Sequence, residues 1–72
     1  MKDNFENNYP KITDWVENRG WIEIGQDDYS RSFVRALDIG GTVWEGKTKY
    51  QTLDDALRDM EKGIGDWVKE VG

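Results

Sequence analysis

The stretch RSFVRALDIGGTVWEGKTKY, Arg31–Tyr50, decides the fold. Two runs with alternating apolar residues flank a glycine pair, Gly40–Gly41. Such a pair signals a hairpin, because glycine adopts the positive φ angles that tight turns need. With Gly40–Gly41 as the loop, Leu37 falls opposite Trp44 and Ile39 opposite Thr42. Upstream, WIEIG at 21–25 also alternates, and QDDYS at 26–30 is turn chemistry. A loop centred on Asp27–Asp28 places Ile22 opposite Phe33 and Ile24 opposite Arg31. Both registers send Ile22, Ile24, Phe33, Leu37, Ile39, Trp44 and Tyr50 to one face. The other face then carries Trp21, Val34, Ala36 and Val43 among Glu23, Ser32, Asp38, Glu45, Lys47 and Lys49. A slip of one residue in either hairpin would mix the faces, so their agreement argues for a three-stranded antiparallel meander.

Helices are expected on both sides of this meander. Pro10 suits a first helical turn, Ile12, Trp15 and Val16 form one apolar stripe, and Gly20 suits a left-handed cap. The spacing therefore predicts a helix over 10–19. Thr52 suits a cap, with Asp54 and Asp55 in the first turn where the helix dipole favours negative charge. Leu53, Ala56, Leu57, Met60, Ile64, Trp67, Val68 and Val71 then keep a 3.6-residue period. Gly63 and Gly65 interrupt that helix and mark a kink or a close approach of another part of the chain. Trp15, Trp44 and Trp67 are core by spacing. The expectation is an α+β fold of order α-β-β-β-α, with both helices on the apolar sheet face. Residues 1–9 are expected to form a flexible, frayed N-terminal arm, and 10–72 a single domain.

Seventy-two residues bound the answer to one domain. There is no Cys and no His, which removes the usual nucleophile–base pairs and the commonest transition-metal ligands. Ten basic and fifteen acidic residues give a net charge of −5. That field repels nucleic acid unless a basic patch is segregated. Arg31 and Arg35 are expected on the core-side face and Lys47 and Lys49 on the open one, so they do not converge. No signal peptide or membrane helix is evident, and we expect a cytoplasmic protein.

Carboxylates are the remaining chemistry. Asp27 and Asp28 sit in a turn, and Asp54, Asp55 and Asp59 crowd a helix start. A Mg²⁺ site or an acid–base pair would need them to converge or to be held dry. Turn and cap duties account for all five, so no catalytic residue, metal site or cofactor is expected.

Several stretches resemble known families. DIGGT, Asp38–Thr42, resembles the phosphate-gripping hairpin of actin-like sugar kinases, but that fold needs two domains and a longer strand context. The order α-β-β-β-α resembles the double-stranded RNA-binding domain in topology only. That family's lysine cluster is replaced here by Asp54 and Asp55, which removes the phosphate grip. Taken whole, WIEIG, SFVRALDIGG, VWEG and TLDDALRDMEKGIGDW resemble short uncharacterised proteins of cyanobacterial type. The stretch EGKTKYQTLDDALRDMEKGI is similar to the end of the HicB-type antitoxin domain, through Thr52, Asp54, Asp55, Ala56 and Leu57. This resemblance implies inhibition of an RNA-cleaving toxin.

The leading expectation is a non-catalytic interaction module that binds a protein partner, or itself, through the open sheet face or a strand edge. Trp21, Val34, Ala36 and Val43 are the candidate contact residues. The alternative is the HicB-type inhibitor. Neither a membrane, a nucleic acid nor a small-molecule substrate is expected.

Overall fold

The computed structural model describes residues 2–25 and 31–71, with side chains from residue 5 onward. The turn expected at 26–30, with Asp27 and Asp28, lies outside the described residues. The elements in chain order are α1 (Lys2–Asn8), α2 (Pro10–Asn18), β1 (Trp21–Ile24), β2 (Val34–Asp38), β3 (Gly41–Glu45) and α3 (Leu53–Val71). The strands form one antiparallel sheet in the order β1-β2-β3. The expected α+β meander is thus present, preceded by one more helix than expected. Where a frayed arm was predicted, Lys2–Asn8 is helical, and the Tyr9 N–H donates to the Phe5 carbonyl.

Helix α2 starts at Pro10, whose missing N–H is no loss in a first turn. Tyr9 supplies no side-chain cap. Instead the Glu61 carboxylate, from α3, accepts the backbone N–H groups of Lys11 at 2.8 Å and Ile12 at 2.9 Å. At the other end, the N–H groups of Arg19 and Gly20 both donate to the Trp15 carbonyl. Gly20 is not left-handed as expected. Glycine is needed there because a Cβ would overlap the Leu37 carbonyl oxygen. Helix α3 starts as predicted, with the Thr52 hydroxyl accepting the Asp55 N–H at 3.0 Å.

The strand registers differ from those expected, and the difference exchanges the faces of β2. In the first pair, Ile22 lies opposite Ala36 and Ile24 opposite Val34. In the second, Asp38 pairs with Gly41, so the loop is Ile39–Gly40 and not Gly40–Gly41. The Asp38 carboxylate accepts the Gly40 N–H at 2.8 Å, and Gly41 takes the positive φ of 118°. A bulge follows, in which Val43 and Trp44 together oppose Ala36. Val34 and Ala36, expected on the open face, are therefore fully buried beneath the helices, and Val43 packs against the same core. Ile24 and Ile39, expected in the core, are exposed, Ile39 completely, at the hairpin tip. Alternation puts Leu37 on the open face, opposite Trp21.

The core lies between the sheet and α2 and α3, and comprises Tyr9, Ile12, Trp15, Val34, Ala36, Ala56, Met60 and Ile64. Trp44, Trp67, Phe33 and Tyr50 pack against it, as the spacing predicts for the two tryptophans. Trp15 meets Trp67 edge-on at 5.4 Å, an arrangement that suits the quadrupoles of both rings. Its indole N–H is shared between the carbonyls of Trp21 at 3.2 Å and Leu37 at 3.1 Å. One buried side chain thereby ties α2 to the β1–β2 pair.

Candidate protein-binding surface

Strand β1 forms one edge of the sheet, and its side chains divide between the two flanks. Trp21 and Glu23 belong to the open face, and Ile22 and Ile24 to the helix side. Trp21 is 45% exposed and Ile24 46% exposed. On the helix side, Val16 of α2 and Phe5 of α1 are 47% and 43% exposed. Two exposed apolar groups of this short edge strand, one on each face, thus lie near Val16 of the neighbouring α2, with Phe5 beyond it on α1.

Apart from Trp21 and Leu37, the open face of the β1–β2 pair is polar and tightly bonded. Arg35 is buried there, not on the core side as expected. Its guanidinium donates to Glu23 at 3.0 Å, to the Gly25 carbonyl at 3.0 Å and to the Ser32 carbonyl at 2.9 Å. The planar fork satisfies several acceptors at once, which is how an arginine is accommodated out of water. The second Glu23 oxygen accepts the Trp21 indole N–H at 3.4 Å. Trp21 is thus held at the rim of this network with its ring in solvent.

The helix-side flank is a shallow groove. Ile12 and Ile22 form its floor, Phe5 and Val16 its walls, and Glu6 and Glu17 its rim. Phe5 rests on Tyr9, with ring centroids 5.1 Å apart. The Tyr9 hydroxyl in turn donates to Asp54 of α3, so this wall is anchored to the body of the fold. The Asp54 hydrogen bond, and then burial, push the Tyr9 pKa above its ordinary value.

Of the four contact residues predicted from sequence, only Trp21 is exposed. The sequence pattern assigned Val16 to a buried stripe and Phe5 to a frayed arm, so neither stood out as a surface residue. A polar neighbourhood is the one available signal, since Val16 is followed by Glu17 and Asn18.

A second cleft lies between the segment after β3 and the start of α3, lined by Lys47, Lys49, Tyr50, Asp55, Arg58 and Asp59. The Tyr50 hydroxyl accepts the Lys47 N–H at 2.8 Å and donates to Asp59 at 2.6 Å. Burial, then the Asp59 hydrogen bond, raise the Tyr50 pKa. Cations and carboxylates both line this cleft, and Arg58 is paired with Asp54 at 2.8 Å.

Asp27 and Asp28 lie outside the described residues, and Asp54, Asp55 and Asp59 have separate duties. Asp54 binds Arg58 and Tyr9, Asp59 binds Tyr50, and the Asp55 N–H closes the Thr52 cap. Among the described residues no group of three or more metal-ligating side chains is assembled. The Gly40 N–H of the DIGGT stretch is occupied by Asp38. The residues behind the HicB likeness form the cap and first turns of α3. Among the described residues, no helix is long and apolar enough to cross a membrane. The chain matches no protein-family model, no curated protein and no solved structure.

Proposed function

We propose that this chain is a small non-catalytic module of the cytoplasm that binds a protein partner along the β1 edge. The observation that carries the reading is the exposure of Trp21 and Ile24 on the two sides of that strand, with Phe5 and Val16 lining a groove beside Ile22, all four more than two-fifths exposed. An edge strand with exposed large apolar side chains on both of its faces is a ready site of contact. Edge strands are ordinarily guarded by charge. In β1 the one charged side chain, Glu23, is engaged by Arg35. The absence of Cys and His agrees with a role in binding and not in catalysis.

Photo-crosslinking tests this directly. A benzoylphenylalanine at position 21 or 24, in the full chain expressed in its own cells, is expected to give a discrete protein adduct. The same group at position 62, on the exposed far side of α3, is expected to give none. Equal labelling from all three positions, or none from 21 and 24, would falsify the assignment.

A further inference from the structure

We infer that the groove beside α2 receives a basic amphipathic helix of the partner protein. This inference rests on the protein-binding reading of the β1 flank and names the chemistry of its occupant. Three observations converge on it. Four of its lining residues are large and apolar, Phe5, Ile12, Val16 and Ile22, and Thr13 lies among them. The groove runs beside α2 over residues 12–17, ~8 Å, or about one and a half turns of a helix laid alongside. Its lining includes two carboxylates, Glu6 and Glu17, and no cation among the described residues.

Charge decides between occupants. Glu6 and Glu17 form no ion pair among the described residues. They line the groove from two elements, Glu6 from α1 and Glu17 from α2. A second copy of this chain, with its net charge of −5, would bring more negative charge to that rim. A helix with apolar residues at i, i+3 and i+4 and lysines or arginines beside them satisfies both the floor and the rim. The summed charge of the chain also favours the approach of a basic segment.

The probe is a fluorescein-labelled Leu/Lys peptide of about five helical turns, patterned so that the leucines share one face. Its anisotropy is followed against the intact protein. Two control peptides accompany it, one of the same composition with scrambled order and one with Glu for every Lys. The patterned peptide is expected to bind, and both controls to bind at least about tenfold more weakly. The E6K/E17K double variant should weaken the patterned peptide by about tenfold or more, and Val16→Ser should weaken it severalfold. All three positions are exposed, so circular dichroism should show unchanged folding. Equal binding of the scrambled peptide, no loss on E6K/E17K, or no binding at all each overturn the inference. Crosslinks that persist from position 21 while the peptide fails would leave the binding-module reading in place and remove only this occupant.

Discussion

Gly63 and Gly65 lie two residues apart in α3, yet the structure gives them opposite roles. A Cβ on Gly63 would overlap the Trp44 indole, so the missing side chain is the space that lets this tryptophan lie against the helix. A Cβ on Gly65 would meet only the Lys11 side chain, at an ordinary 3.6 Å. Neither residue has a positive φ. Gly65→Ala should therefore stabilise the protein by about 0.5–1 kcal/mol through helix propensity alone. Gly63→Ala should destabilise it by about 1–3 kcal/mol, because the indole has to leave its place. Urea titrations of both variants decide the matter, and a shift in the same direction for both would contradict it. The sequence marked both glycines as anomalies in a helix. It could not separate them, because the ring that needs Gly63 comes from β3, nineteen positions away in the chain.

At the scale of elements, helices were far more legible than strands. The 3.6-residue stripe of α3 and its Thr52 cap are local properties; the cap is present as read, and the stripe is buried in the core or packed against it from Ala56 to Val68, while its ends, Leu53 and Val71, are exposed. Strand β2 is apolar on both sides, with Val34 and Ala36 on one and Leu37 on the other, so alternation alone does not choose its face. The choice rests on where the hairpin turns. There the Asp38 side chain and the positive φ of Gly41 place the loop one residue earlier than the glycine pair suggests. Helix α2 shows the same limit at its start, since its cap comes from Glu61, forty-nine positions beyond Ile12. Removing that carboxylate tests the assignment. Glu61→Ala should cost about 1–2 kcal/mol, with Glu61→Gln intermediate because an amide oxygen still accepts but carries no charge toward the helix dipole. Hydrogen exchange should quicken first at the Lys11 and Ile12 amides. Unchanged protection there would show that solvent caps α2 equally well.

Across the whole molecule, the candidate site was legible only as far as Trp21, because its other members meet through tertiary packing. Phe5 acquires a fixed place through Tyr9 and Asp54, a contact between the chain start and α3. That contact is one of two tyrosine–carboxylate clamps on the first turns of α3, the other being Tyr50 with Asp59. In both, the folded state raises the tyrosine pKa, chiefly through the Asp54 hydrogen bond for Tyr9 and through burial for Tyr50. A group that holds its proton more tightly when folded contributes stability below its unfolded pKa, about 10 for tyrosine. That contribution is lost as pH rises from there through the folded value. Stability should thus fall as pH rises above about 10, beyond the loss expected from lysine titration in the same range. A Tyr9→Phe/Tyr50→Phe double variant should be less stable at neutral pH, by about 1 kcal/mol for each lost hydrogen bond. It should also lose less stability on passing into alkali. The two urea midpoints, measured at neutral and alkaline pH, give this difference directly. Parallel losses in the wild type and the variant would mean that the clamps play no part in alkaline unfolding.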